Sequence, residues 1–172
     1  MSASYVLSRI ACLRPSDSVL VEEAPTARGA MHDHLPIICM GGFHTTASGG
    51  LGFGLPAAIG VARADPGRKV IALLGDGSAM YTIQGLWSAA DQGADVSFVI
   101  LNNRRYAALA QFAGRFGIEA LPGTEIGGID FVALAQGMGV AARRVSKVAE
   151  IDSALTWSLA ERRPTLVELL ID

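Results

Sequence analysis

The chain has 172 residues, of which 51% are hydrophobic and 17% are charged, and its formal net charge is −2. This length and composition predict one domain with a sizeable core and exclude a disordered chain. The weak net charge gives no basic surface for nucleic acid or for a membrane, and two cysteines indicate neither a disulfide scaffold nor a metal cluster, which fits a reducing cytoplasm.

Apolar periodicity predicts helices and strands that alternate along the chain. In chain order, the predicted elements are helix 5–13, strand 18–23, helix 28–34, strand 36–40, helix 56–64, strand 69–75, helix 81–91, strand 96–103, a helical turn near 107–112 within a loop, helix 129–136, strand 139–142, helix 148–161 and strand 164–172. This alternation indicates an α/β fold with an open, mostly parallel sheet and helices on both faces. In such sheets, ligands bind beyond the carboxyl ends of the strands.

Two of the predicted strands end in polar clusters. The run "KVIALLG" leads into Gly75–Ser78 (GDGS), and "VSFVILNN" ends in Asn102–Asn103. One strand–helix–strand unit separates the clusters, so we expect them to lie at neighbouring strand ends. Carboxylate and amide oxygens suit Mg²⁺ or Ca²⁺, and Gly77 and Ser78 open a helix whose N–H groups favour an anion. A metal and a phosphate therefore fit one crevice. Either motif alone is more typical of a turn or a helix cap, but the two together, each after a buried strand, favour the metal and phosphate site.

The glycines also allow a different interpretation, a Rossmann-type NAD-binding domain. Residues 52–57 fit G-x-G-x-x-A, and Asp76 follows at roughly the distance expected of the acidic residue. That fingerprint should turn directly from a strand into a helix, yet residues 42–52 separate it from the predicted strand 36–40. It also gives Asn102–Asn103 no role. A regulatory or scaffold domain that keeps the fold without turnover is a further alternative.

The two polar clusters together resemble the thiamine-diphosphate-binding motif of the thiamine-dependent 2-keto acid decarboxylase family. The segment "ASGGLGFGLPAAIG" (47–60) is similar to the segment that cradles the cofactor in benzoylformate decarboxylase and its relatives, and "GGIDF" (127–131) and "PTLVEL" also fit. The resemblance covers nearly the whole chain but only one domain of the usual enzyme. It implies that residues 1–172 form a single C-terminal-type, diphosphate-binding domain, with the pyrimidine-binding and middle domains absent from this chain.

The resemblance also implies a role for individual residues. Mg²⁺ would be held by Asp76, the Asn103 side chain and the Arg105 carbonyl. The diphosphate would face Gly75, Gly77, Ser78 and the Tyr106 amide. The aminopyrimidine would contact Gly49, Gly50 and Leu51, with Leu51 as the apolar support that bends the cofactor. An ordinary core leucine is the alternative for Leu51; acetolactate synthases typically have methionine at this place, which favours the simple decarboxylases.

The residues implied for the substrate pocket are Thr45, Ala108, Leu109 and Phe112. Thr45 replaces an aromatic residue that the benzoylformate-type pocket uses, which puts aryl specificity in question. Residues 108–112 equally fit one face of a short apolar helix. Arg104 and Arg105 depart from the smaller or uncharged residues of many relatives and make the mouth of the site more cationic, which would favour anionic 2-keto acids.

The implied function is Mg²⁺-dependent binding of thiamine diphosphate for the non-oxidative decarboxylation of a 2-keto acid to an aldehyde. Acetolactate-synthase-like carboligation is the alternative within the family. The glutamate that activates the cofactor is expected on a pyrimidine-binding domain or subunit, within a homodimer or homotetramer, and His44 is the only candidate catalytic histidine in this chain. We therefore expect the chain to be inactive alone.

Overall fold

The computed structural model describes residues 1–172, and its centre is a single six-stranded sheet. The strands are β1 (Val19–Glu23), β2 (Phe43–Thr45), β3 (Val70–Gly75), β4 (Val96–Asn102), β5 (Ala141–Val145) and β6 (Thr165–Leu170). They lie in the order β2-β1-β3-β4-β6-β5, and all neighbouring pairs are parallel. The predicted α/β fold is confirmed, with a sheet that is parallel throughout.

Eight α-helices connect or flank these strands. They are α1 (Ala3–Leu13), α2 (Arg28–His34), α3 (Gly54–Ala64), α4 (Asp76–Met80), α5 (Gly85–Asp91), α6 (Ala107–Gly114), α7 (Phe131–Gly137) and α8 (Ile151–Ala160), with short 3-10 turns at Pro25–Ala27 and Val148–Glu150. None of the helices combines the length and the apolar character that a membrane crossing requires.

Helices cover both faces of the sheet because its strands are apolar on both sides. In β3, Val70, Ala72 and Leu74 point into a core shared with α3, α5 and α7. The intervening Ile71 and Leu73 point into a second core shared with α1, α2 and α8. The two cores contain 20 and 18 buried residues, so neither face dominates the hydrophobic stabilisation of the domain.

The predicted strand 36–40 is wrong, and the structure places the edge strand β2 later in the chain. Ile37 and Ile38 are half exposed and Met40 is 99% exposed, so this apolar run packs against neither core. The strand that pairs with β1 is Phe43–Thr45, in register from Leu20 opposite Phe43. An edge strand has one neighbour and one half-covered face, so it does not need the continuous apolar run expected of a central strand.

The region after β3 also differs from the prediction. Of the predicted helix 81–91, only Gly85–Asp91 is helical, as α5, and a separate short helix, α4 (Asp76–Met80), precedes it directly after β3. Residues 81–84 form turns between them, stabilised by hydrogen bonds such as that from the Gly85 N–H to the Thr82 carbonyl at 2.9 Å. The polar cluster after β3 therefore forms the first turn of a helix, as predicted for Gly77 and Ser78.

Candidate functional site

A large cavity lies beyond the carboxyl ends of β1, β3 and β4. Strand order reverses between β1 and β3, since β2 lies on one side of β1 and β3 on the other, and ligand crevices of open α/β sheets form at such points. The cavity has a volume of about 340 Å³. Its lining includes segments that follow the three strands: Ala24–Ala27 after β1, Gly75–Ser78 after β3, and Asn103, Arg105, Tyr106, Ala108 and Leu109 after β4.

Asp76 is the buried acid of this cavity. It is 4% exposed, and its Oδ2 atom has no hydrogen-bond partner. Burial raises the pKa of the Asp76 carboxyl, while the backbone N–H groups of Gly77 and Arg104 act in the opposite direction. An unpartnered buried carboxylate oxygen is costly, and a bound cation would remove that cost.

Two further residues that carry oxygens suited to a metal belong to the same site. Asn103 and Arg105 both line the cavity. The Arg105 carbonyl accepts no hydrogen bond from the chain, and the Asn103 Oδ1 atom accepts only a local one, from the Arg105 N–H at 3.2 Å. Between them, Arg104 has a φ of +60°, the only non-glycine residue in the left-handed region. The structure therefore brings all three predicted metal-binding residues to one cavity.

Asn102, the first of the paired amides, points elsewhere. It is buried, and its Nδ2 donates to Glu168 Oε1 at 2.7 Å, while its Oδ1 accepts from the Arg104 N–H at 3.0 Å. Glu168 is 1% exposed and accepts from Arg144 Nε through its other oxygen at 2.6 Å. Asn102 thus fixes the turn that carries the cavity residues Asn103 and Arg105. The sequence analysis assigned no role to Glu168, although it lies in the segment PTLVEL, and missed Arg144, which no motif marks.

Replacing Glu168 with glutamine is expected to lower the free energy of unfolding by about 1–3 kcal/mol, because one glutamine oxygen cannot accept from both Asn102 and Arg144. Urea denaturation measures this loss. The matched control is Glu119→Gln on the surface, where the same chemical change should have almost no effect. Equal stability of the two variants would contradict a structural role for Glu168.

The glycine-rich loop between β2 and α3 enters the cavity through Gly49 and Leu51, while Gly50 does not line it. Gly49 has a φ of +71°, and an added Cβ there would meet no atom within 4 Å, so its backbone borders open space. Leu51 is half buried and belongs to neither core. Leu51 therefore lies beside the cavity, where a flat ligand could pack against it. It is not an ordinary core leucine.

Gly77 and Tyr106 are in close contact across the cavity. A Cβ on Gly77 would lie 2.6 Å from Tyr106 Cδ1 and closer still to Cε1, so glycine is required for the ring to pack there. The Tyr106 N–H, which the resemblance assigns to the diphosphate, donates instead to the Thr124 carbonyl at 2.7 Å. In this conformation the tyrosine contributes its ring to the cavity. Ser78, which is buried, and Gly75, the last residue of β3, also line the cavity.

The residues predicted for the substrate pocket divide into two pairs. Ala108 and Leu109 line the cavity. Thr45 does not: its hydroxyl donates to Glu22 Oε2 at 2.8 Å, away from the cavity. Phe112 is 58% exposed outside the cavity, with its ring edge-on to Phe116 at a centroid distance of 5.1 Å. The resemblance therefore predicted a place in the substrate pocket for Thr45 and Phe112 that their contacts in this structure do not give them.

No histidine or glutamate lines the cavity. His44 is exposed on β2, and no group of three or more His, Cys, Asp or Glu side chains comes together as a metal cluster. The oxygens predicted to bind a metal are the Asp76 carboxylate, the Asn103 amide and the Arg105 carbonyl; the other aspartate of the lining, Asp172, pairs with the N-terminal amine. This oxygen set suits Mg²⁺, which commonly takes one or two carboxylates together with phosphate oxygens. The residues therefore fit a metal-bound diphosphate.

Comparison with known proteins decides the family. The profile described as "Thiamine pyrophosphate enzyme, C-terminal TPP binding domain" matches residues 26–169. The chain belongs to this family. It is 42% identical to benzoylformate decarboxylase of Pseudomonas aeruginosa over 164 residues, which are 95% of this chain and 31% of that protein. It is 36% identical to the acetolactate synthase isozyme 1 large subunit of Escherichia coli over 129 residues, 73% of this chain and 23% of that protein.

Solved structures of the thiamine pyrophosphate family agree. The 4-hydroxybenzoylformate decarboxylase of Rhodococcus jostii RHA1 matches with a TM-score of 0.97 at 38% identity, over 100% of this chain and 33% of that one. Benzoylformate decarboxylase of Polynucleobacter necessarius matches with a TM-score of 0.94 at 32% identity, over 98% and 33%. The chain thus spans about one third of the length of these relatives. Membership of this family argues against the alternative of a Rossmann-type NAD-binding domain.

Proposed function

We propose that this chain binds thiamine diphosphate through one Mg²⁺ and serves as the diphosphate-binding part of a 2-keto acid decarboxylase of the benzoylformate type. The observation that carries the proposal is the unpartnered, buried Asp76 Oδ2 atom in a cavity that Asn103 and Arg105 also line. These three residues would hold the metal. Gly77 and Ser78 would receive the diphosphate, and Leu51 with Gly49 would support the aminopyrimidine.

The bound cofactor would supply the carbon nucleophile and the electron sink of the decarboxylation. The contribution of this chain is to hold and orient that cofactor and to keep water from its buried side. Arg105 at the mouth would attract the carboxylate of an anionic 2-keto acid. Because no glutamate or histidine lines the cavity, we propose that a pyrimidine-binding domain or subunit completes the site, and that the chain alone does not turn over substrate.

Carboligation of the acetolactate-synthase kind is the second candidate, since such enzymes are among the relatives. The half-buried leucine at position 51 favours the decarboxylase, because the acetolactate synthases typically carry methionine there. Product analysis of the completed enzyme with a 2-keto acid separates the two: an aldehyde supports the decarboxylase and an acetohydroxy acid supports the ligase.

Thermal denaturation tests cofactor binding directly. At a free ligand concentration 100 times Kd, a ligand that binds only the folded state adds about 2.7 kcal/mol of stability, which for a domain of this size raises Tm by roughly 5–10 °C. We expect this shift with thiamine diphosphate and Mg²⁺ together, and a much smaller one with either alone. A shift with NAD that needs no metal, or none with any ligand at saturating concentration, would overturn the proposal for this chain.

A further inference from the structure

Glu23, the last residue of β1, is a buried acid with an unusual set of partners. It is 1% exposed and forms no ion pair. Its Oε1 atom accepts from the Gly52 N–H at 2.6 Å, and its Oε2 atom accepts from the Gly54 N–H. Both oxygens are therefore satisfied by backbone amides of the glycine-rich loop, and hydrogen bonds to a buried charge are among the stronger ones in proteins.

The loop lies against Glu23 at the closest distance that its backbone allows. A Cβ on Gly54 would lie 2.8 Å from the Glu23 Cβ, so a larger residue there would push the loop away. Gly52 has a φ of +98°, a conformation that side chains rarely adopt. Gly54 therefore permits the close approach to Glu23, and Gly52 permits the backbone conformation that turns its N–H towards the carboxylate.

The Gly52 N–H belongs to the peptide group that joins Leu51 to Gly52. In a trans peptide the carbonyl and the N–H point in opposite directions, so the bond to Glu23 fixes the direction of the Leu51 carbonyl. Leu51 itself lines the cavity, whereas Glu23 does not. Any effect of Glu23 on a ligand must therefore pass through the loop.

We propose that Glu23 is a positioning residue that sets Leu51 against the aminopyrimidine end of the cofactor. The inference rests on the proposed function and adds a residue that does not touch the ligand. The diphosphate end, at Asp76 and Ser78, belongs to a different segment, which follows β3; the backbone of Glu23 pairs with Leu74 of that strand, but its carboxylate makes both of its hydrogen bonds to the glycine-rich loop. Loss of the Glu23 carboxylate therefore weakens binding of the whole cofactor more than binding of its diphosphate part.

A purely structural role is the competing explanation, because Gly54 is the first residue of α3 and a negative charge stabilises a helix N-terminus. That role would lower the stability of the free protein and would affect all ligands alike. The two explanations differ in how the effect divides between ligands, so affinity for two probes separates them.

The experiment compares Kd values for thiamine diphosphate and for inorganic pyrophosphate, each with Mg²⁺, in the original protein and in Glu23→Gln. Glutamine offers one acceptor and opposes its own N–H group to the second amide. We expect the Kd of thiamine diphosphate to rise roughly tenfold or more and that of pyrophosphate to change less than about twofold. Equal changes for the two probes, or no change for either, would overturn the positioning role.

Two further variants serve as a second test and as a control. Glu23→Asp keeps the charge near α3 but is too short to reach both amides, so it should show the same division between the probes. Glu22→Gln makes the same chemical change at the adjacent, fully buried position, where the carboxylate accepts from the Ala24 N–H, from Thr45 and from Arg28 and makes no bond to the glycine-rich loop. It should leave both Kd values unchanged within about twofold.

The nuclear magnetic resonance spectrum of the free protein provides a readout that needs no cofactor. In Glu23→Gln, the amide protons of Gly52 and Gly54 and the methyl groups of Leu51 should shift, while those of Ser78 stay in place. If the original protein bound neither probe, the proposed function would fail, and these shifts would still decide whether Glu23 sets the loop. Unmoved Leu51 methyl resonances would overturn the inference in either case.

Discussion

Asp76→Asn is expected to abolish the Mg²⁺-dependent stabilisation by thiamine diphosphate without weakening the free protein. The variant keeps the size of the side chain but removes the charge that a divalent cation needs. In the free protein the carboxylate is a cost, since one of its oxygens is buried without a partner. Denaturation with and without cofactor and Mg²⁺ measures both effects. Asp33→Asn, on the exposed surface of α2, is the matched control and should retain the full ligand-induced shift.

The same carboxyl group gives this first prediction a pH dependence. Because burial raises the folded-state pKa of Asp76 above its unfolded value, its favourable contribution is complete below the unfolded pKa and is lost as the pH rises through the folded pKa. In EDTA, Asp76→Asn should therefore be more stable than the original protein at neutral pH, and this advantage should vanish in acid. Urea denaturation over a pH series measures it; a constant difference between the two proteins would refute the assigned pKa direction.

Gly77→Ala is expected to have the second large effect, on both stability and cofactor binding. The added methyl group would overlap the Tyr106 ring, and overpacking of this kind costs about 1–3 kcal/mol. Tyr106 adjoins Arg105 in the chain, so displacement of its ring would disturb the Arg105 carbonyl, and the Mg²⁺-dependent Tm shift should fall as well. Urea denaturation and the thermal assay measure the two losses.

Tyr106→Ala in the Gly77→Ala background tests the cause. Removing the ring should recover part of the lost stability, giving a coupling energy between the two sites in a double-mutant cycle. Gly67→Ala, where an added Cβ meets no atom within 4 Å, is the control and should be close to neutral. Additive effects of the two substitutions at 77 and 106 would show that the ring contact is not the source of the loss.

The architecture could be predicted from the sequence because its central strands are covered on both faces. β3 and β4 are continuous apolar runs, and the polar residues that end them mark the edge where ligands bind. β2 could not be found in this way, since an edge strand with exposed His44 has no such run, whereas the apolar residues 36–40 lie on the surface. An apolar run shows that burial is possible but does not say where the chain places it.

Cavity residues could be predicted where they belong to short sequence motifs, and could not where their role depends on partners far along the chain. Asp76, Asn103 and Leu51 stand in short motifs, and all three reach the cavity. Glu23 meets its partners 29 and 31 residues further along the chain, and Asn102 meets Glu168 66 residues away. Such contacts exist only once the sheet has formed, so no local pattern announces them. Thr45 and Phe112 show the opposite case: the resemblance to the family predicted that they line the substrate pocket, but neither lines the cavity.

Asn102, the last residue of β4, and Asn103 line two different cavities, because successive residues of an extended chain point to opposite sides. A deletion of one residue within β4 would move Asn103 into the place of Asn102 and Arg104 into the place of Asn103. The paired motif would then look intact in the sequence, although the cavity that Asp76 lines had lost its amide. Anyone who transplants this site into another sheet must therefore preserve the length of the strand as strictly as the amides at its end.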